Sequence, residues 1–239
     1  MRSAPLPKFS YAFQPIVEAA SGSVFSYEAL IRGPSNEPAF TVLERVPVDA
    51  RYRFDEDSRV AAIGLANRLG LGCHLNLNFL PQGLYASGSS VTSTLEAAAR
   101  HGLPIERLIL EVTEGEVIAD YSNLAQQLNE FRSLGLKVAI DDFGAGYSGL
   151  NMLADFQPDQ IKIDMNLVRG IEKHGPRQAI VRALVQVCDD LGIDVIAEGV
   201  ESLREYAWFA EHGVSLFQGY LFAKPGFEFL PQAHFPELG

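Results

Sequence analysis

Carboxylates and amides recur in this chain at the ends of short apolar runs. Glu28 opens Glu28-Ala29-Leu30-Ile31-Arg32, Asn78 closes Leu75-Asn76-Leu77-Asn78, and Glu111 follows Leu108-Ile109-Leu110. Asp141 and Asp142 follow Val138-Ala139-Ile140, and Glu198 follows Val195-Ile196-Ala197. Brought to one place, five carboxylates and an amide would repel strongly in a low dielectric unless a cation joined them. An all-oxygen ligand set without His or Cys favours a hard divalent ion such as Mg²⁺ or Mn²⁺. The adjacent Asp141 and Asp142 suit two ions, one carboxylate bridging and its neighbour reaching the second. Two ions about 4 Å apart are a recurrent device for cleaving phosphodiesters, activating a water and screening the leaving oxygen. Lys162 would add a fixed positive charge beside them, and Arg32 a fork for a phosphate. Taken singly, each residue has an ordinary reading. A Glu at a strand end is usually solvated, an Asp pair often caps a helix, and Gln218 suits a satisfied core amide. Recurrence at five or six strand ends is not explained by capping, which does not require inward-facing acids.

The elements that must position these groups read as a helix–strand alternation. Five times an amphipathic stretch is followed by a Gly stop, an apolar run and then a polar group, at Arg68–Asn78, His101–Glu111, Leu134–Asp142, Leu191–Glu198 and His212–Gln218. That pattern predicts a parallel β/α barrel with one functional rim. Ser10–Val17 and Val24–Arg32 flank a turn too short for a parallel crossover, so the first pair is expected to be antiparallel. Side chains alternate faces along a strand, which puts Glu28, Leu30 and Arg32 on one face, Asn76 and Asn78 on one face, and Lys162 with Asp164. Further strands are expected at His74–Asn78, Leu108–Val112, Lys137–Ile140, Gln160–Asp164, Asp194–Ala197 and Leu216–Tyr220, eight in all. Helices are expected around 40–46, over 57–69, from a capping box at Ser93-Thr-Leu-Glu96, over 124–134, over 180–191 and from a second box at Ser202-Leu-Arg-Glu205. Phe143-Gly-Ala-Gly-Tyr-Ser-Gly149 reads as a mobile lid carrying the Asp pair.

At 239 residues the chain suits a single domain of barrel size. A net charge of −11 opposes binding to polymeric nucleic acid, whose affinity comes mainly from cationic neutralisation of phosphates. Cys73 and Cys188 read as buried, reduced thiols in a cytoplasmic protein. No apolar stretch approaches the roughly 20 residues of a membrane span, and no signal core precedes the first strand. The single Trp208 reads as packing, and the five His residues show no ligand spacing.

At these residues the chain resembles the EAL-domain family of cyclic-di-GMP phosphodiesterases. The likeness is carried in order by Phe13-Gln14-Pro15-Ile16-Val17, Glu28–Arg32, Asn78-Phe-Leu-Pro81, Glu111-Val-Thr-Glu114, Asp141-Asp-Phe-Gly-Ala-Gly146, Lys162-Ile-Asp164, Ala197-Glu-Gly-Val-Glu201 and Gln218-Gly-Tyr220. It runs from about Phe9 to Pro225 and implies a modified TIM (β/α)8 barrel with an antiparallel first strand. It implies hydrolysis of cyclic di-GMP to linear pGpG with two Mg²⁺ or Mn²⁺ ions per site. By position, Glu28, Asn78, Glu111 and Asp141 would hold one ion, with Asp141 bridging to a second beside Asp142 and Glu198. Lys162 would orient the attacking water, and Glu198 would be the other acid/base participant. Gln14, Leu30, Arg32, Asp164, Glu201 and Gln218 would bind substrate, and Glu114 would anchor the Asp-Asp loop. The resemblance also implies a homodimer, with sensory or regulatory domains possible outside these residues. Ala145 and Gly149 depart from the family's usual Thr and Ser, a change that bears on loop rigidity and rate. Two other functions fit some of the residues: a non-catalytic cyclic-di-GMP receptor, and an enolase-type barrel using Mg²⁺ with a Lys.

Overall fold

The computed structural model describes residues 5–81, 91–113, 121–145, 153–154 and 156–236. Two antiparallel strands open it, β1 (Ser10–Glu18) and β2 (Ser23–Arg32), paired from Ser10 with Arg32 down to Glu18 with Ser23. Then follow α1 (Ala39–Leu43), α2 (Arg51–Arg68), β3 (His74–Asn78), α3 (Thr92–His101), β4 (Leu108–Thr113), α4 (Tyr121–Ser133), β5 (Lys137–Phe143) and β6 (Gln160–Ile163). The short α5 (Met165–Val168), α6 (Gly175–Leu191), β7 (Asp194–Ala197), α7 (Leu203–Glu211), β8 (Leu216–Phe217) and β9 (Gly226–Phe227) complete the described elements.

Strands β2 to β8 pair in sequence order, each parallel to the next. β1 runs against them and closes the barrel, pairing with β2 on one side and with β8 and β9 on the other. The fold is therefore a closed, mixed eight-stranded barrel with an extra strand, and the antiparallel opening expected from the short turn is present. Every parallel strand points its C-terminal end at the same mouth.

Period-two alternation divides the strand residues cleanly. Leu75, Leu77, Leu108, Leu110, Val138, Ile140, Ile161 and Ile163 face outward, where they pack with Ile63, Ala66, Ala97, Leu128, Val181 and Cys188 of the surrounding helices. A small separate cluster of Ile16, Ile196 and Leu216, with Phe25 against it, faces inward. Ile109 and Ala139 share that inward face, and beside them the interior buries polar groups, Ser26, Glu28, Asn76, Glu111, Gln160 and Lys162. Gly102 and Gly192 end their helices with φ of 65° and 70°, the left-handed stop that the Gly-apolar pattern predicts.

Several element boundaries differ from the sequence expectation. The Ser93-Thr-Leu-Glu96 box does not form, because the helix starts at Thr92 and places Ser93 inside its first turn; the N-cap is Val91, with no side-chain cap bond. The Ser202–Glu205 box does form, with both reciprocal bonds. Helix α1 is shorter than expected and α2 begins six residues earlier. Of the apolar stripe on α6, Val181, Leu184 and Cys188 are buried while Ile180 and Leu191 are exposed. The last strand ends at Phe217 rather than Tyr220. There the chain leaves β1, and β9 takes the pairing positions at Ala12 and Phe13. Both thiols are free, with Cys188 buried and Cys73 only partly so. No described helix is long and apolar enough to cross a membrane.

Candidate active site

The inward positions at the mouth bring four carboxylates around one ammonium. Lys162 Nζ, 1% exposed, lies 3.2 Å from Glu28 Oε2, 3.0 Å from Glu111 Oε1, 3.1 Å from Asp141 Oδ1 and 2.6 Å from Glu198 Oε1. These groups arrive from β2, β4, β5, β6 and the exit of β7, which is why no single stretch of sequence contains the site. Gln218 donates from Nε2 to Glu28 Oε2 at 2.7 Å and to Gln14 Oε1 at 3.5 Å. Asn78 donates to Glu28 Oε1 at 3.5 Å. One cation among four acids leaves an excess of negative charge in a buried place, and the acid–base behaviour follows. Burial, reinforced by Glu28, holds Glu111 well above the usual carboxylate range despite the pull of Lys162. Burial likewise pushes Glu198 up to about 8. Burial alone would lower the Lys162 ammonium, but the surrounding carboxylates, led by Asp141, override it and hold the group charged.

Two consecutive strand residues ordinarily point to opposite faces, yet Asp141 and Asp142 both reach the mouth. The pairing of β5 with β6 shifts between Ile140 and Phe143, and Asp142 takes a left-handed φ of 54°. A register irregularity of this kind re-aims side chains, and a non-glycine residue in that conformation is strained unless its surroundings hold it. Burial and the charge of Asp141 raise the Asp142 carboxyl.

The donor set fits divalent ions. Glu28, Glu111 and Asp141 offer oxygens within 4.8 Å of one another, and so do Asp141, Asp142 and Glu198. The two groups share Asp141, the arrangement that a bridging carboxylate requires. Glu111 Oε2 is buried without any hydrogen-bond partner, an orphaned acceptor of the kind that a cation would satisfy.

Two separate cavities are lined by residues at this strand end. One, of about 220 Å³, is lined by Gln14, Glu28, Asp142, Glu198, Glu201 and Gln218, together with Arg169 and Tyr220. The other, of about 290 Å³, is lined by Leu30, Arg32, Asn78 and the aromatic side chains of Tyr11 and Phe54. Arg32 is half-buried and donates to its own strand at Ile31 O. Glu201 pairs with Arg169 at 2.5 Å. Asp164 is used differently from its neighbours: it caps α5, accepting from Asn166 N at 2.9 Å and Asn166 Nδ2 at 2.8 Å, and it does not line either cavity. Glu114 lies outside the described residues, as does most of the Gly-rich loop after Ala145.

Sequence reasoning passed over two residues here. Arg169 follows a four-residue helix that carries no periodic signal. Asn76 shares the face of Asn78 and gave the one available hint; its Nδ2 donates to Glu111 Oε1 at 2.8 Å. Gly219 has a steric reason to be glycine. A Cβ there would lie 2.0 Å from Val200 O and 2.4 Å from Val200 N, next to Gln218, whose carbonyl accepts from Val200 N.

The EAL domain profile matches residues 5–225. The chain belongs to the EAL domain family. Among solved EAL proteins it is similar to a standalone versatile EAL protein from Vibrio cholerae O395 in its c-di-GMP-bound form, at 48% identity and a TM-score of 0.92, covering 97% of this chain and 98% of that one. It is also similar to Klebsiella pneumoniae BlrP1 in a manganese and cyclic-di-GMP complex, at 43% identity and a TM-score of 0.89, over 95% of this chain and 58% of that one. Among curated relatives, the Escherichia coli blue light- and temperature-regulated antirepressor BluF is 36% identical over 95% of this chain and 57% of its own length. The Pseudomonas aeruginosa cyclic di-GMP phosphodiesterase RocR is 31% identical over 95% of this chain and 59% of its own length. The chain thus spans less than two thirds of those two relatives.

Proposed function

We propose that this chain is one catalytic EAL domain, with its core over about residues 9–225, that hydrolyses cyclic di-GMP to linear pGpG with two Mg²⁺ or Mn²⁺ ions. The observation that carries the reading is the pair of acidic groups sharing Asp141, set around a buried lysine. Such ions, when bound, supply an acidified water and neutralise charge on the leaving oxygen. Glu28, Asn78, Glu111 and Asp141 would hold the first, and Asp141, Asp142 and Glu198 the second. With the carboxylates so engaged, Lys162 Nζ is free to orient the attacking water. Glu198 is the nearest group for moving a proton. Gln14, Gln218 and Glu201 would bind one half of the two-fold dinucleotide and Leu30 with Arg32 the other, while Asp164 supports the rim through α5. The expected anchoring of the Asp-Asp loop by Glu114 belongs to the same reading, as do a homodimeric assembly and a cytoplasmic setting, in keeping with two free thiols. Solved relatives complexed with cyclic di-GMP, one of them with manganese, support the substrate and the class of ion.

The test is a metal-defined hydrolysis assay with chromatography of the product. Wild type is expected to form pGpG in Mg²⁺ or Mn²⁺ and none in EDTA, and Glu28→Ala or Asp141→Ala to abolish turnover; wild-type rates in either variant would contradict the assignment. The likeness to BluF, an antirepressor, favours one alternative, a receptor that binds the dinucleotide without cutting it. Tight binding with no pGpG in either metal would select it.

A further inference from the structure

Asn76 is a buried amide to which the roles above give no part. It sits on β3 two residues before Asn78, facing the barrel interior with no exposed surface. An apolar residue is the usual occupant of such a position in a parallel sheet, and a buried amide is costly unless it is hydrogen-bonded. Its Nδ2 donates to Glu111 Oε1 at 2.8 Å, and that same oxygen lies 3.0 Å from Lys162 Nζ. Two donors therefore converge on one oxygen of Glu111, while Oε2 is buried with no partner. The amide's own Oδ1 is also buried and unpartnered, so the group is kept for its donor. Turning it over would set Oδ1 against a carboxylate oxygen.

We propose that Asn76 is a positioning residue that holds Oε1 of Glu111 and thereby presents Oε2 to the ion. The inference rests on the two-ion reading of the site. Donors behind a ligating carboxylate fix its orientation, and their loss costs about 10–100-fold in metal affinity. Asn76→Leu keeps the branched outline of the side chain, removes the donor and leaves Lys162 alone to hold Oε1 of Glu111.

Calorimetric titration of the metal-free full chain with Mn²⁺ is the direct test. The Kd of Asn76→Leu is expected to rise about 10–100-fold, with the far-UV circular dichroism unchanged. In a Glu111→Gln background the same substitution is expected to add nothing, because the amide acts only through Glu111. Unchanged affinity in the folded single variant, or losses that add in the double variant, overturns the proposal. A crystal structure of wild type with Mn²⁺ tests it without any variant. Oε2 of Glu111 is expected about 2.1 Å from the ion, with Oε1 still on Asn76, and Oε1 on the ion instead overturns it. Wild type that binds Mn²⁺ in this geometry but forms no pGpG removes the phosphodiesterase reading and leaves the role of Asn76 standing. Wild type that binds no Mn²⁺ removes both.

Discussion

Glu198→Gln should stabilise the metal-free protein while disabling the site, and the gain should depend on pH. Glutamine mimics a protonated glutamate. In the folded, metal-free state the Glu198 carboxyl sits at about 8, against an ordinary 4.5. A carboxyl raised in the folded state stabilises fully below its unfolded value and loses that contribution as pH climbs to the folded one. Wild type should therefore lose stability from about pH 4.5 to about 8, whereas the variant, with nothing to titrate there, should not. The slope is about 1.4 kcal/mol per pH unit. Integrated between about pH 5.5 and 7.5, it gives an upper bound of roughly 2–3 kcal/mol. For a chain of this length that corresponds to a Tm gap widening by about 5–10 °C. Differential scanning calorimetry in EDTA across that range reads it directly. Adding Mn²⁺ at about 100 times its Kd should restore roughly 2.7 kcal/mol to wild type and less to the variant. Parallel Tm curves in EDTA would refute the reasoning, since they would put the cluster's extra proton on another carboxylate.

Three further outcomes follow from the packing. Gly219→Ala should cost about 1–3 kcal/mol or more in urea denaturation, because the new methyl meets backbone atoms of Val200, and should weaken cyclic-di-GMP binding by displacing Gln218. Arg59→Leu should cost about 3–5 kcal/mol by stranding Asp55, its buried ion-pair partner, and Asp55→Leu added to it should recover most of the loss; a single-variant loss below about 1 kcal/mol contradicts this. Ser202→Ala should cost about 1 kcal/mol, read as a lower urea midpoint at unchanged slope, because it removes the cap that accepts from Glu205 N at 3.3 Å.

Glu28, Asn78, Glu111, Lys162 and Glu198 were legible as a set because period-two alternation alone sends them inward from parallel strands that share one mouth. Asp142 was not legible in that way. Alternation would turn it away from Asp141, and only a shift in strand pairing with a left-handed backbone brings both to the same side. Asn76 carried a readable face but no readable purpose, since its purpose is a bond to a residue 35 positions away. The last strand was read three residues too long: it ends at Phe217, although Gln218 N still donates to Ala197 O of β7. Beyond that point the backbone bonds run to Val200, which donates to Gln218 O and accepts from Leu221 N, a non-local pairing that sequence periodicity does not record. The unmade box at Ser93 shows the same limit: capping spacing is necessary, but a two-residue shift of the helix start, with Val91 as the N-cap, makes it useless.

The reversed first strand has a consequence for how such a barrel can be wired. In an all-parallel barrel the polypeptide enters at the floor, far from the chemistry. Here β1 descends from the carboxylate-bearing rim, Ser10 lying opposite Arg32, so the incoming chain threads past the mouth before reaching the bottom. Any module joined ahead of it would be tethered at the doorway, one strand-width from Arg32, and a tug on that tether would be felt first by the residues at the rim.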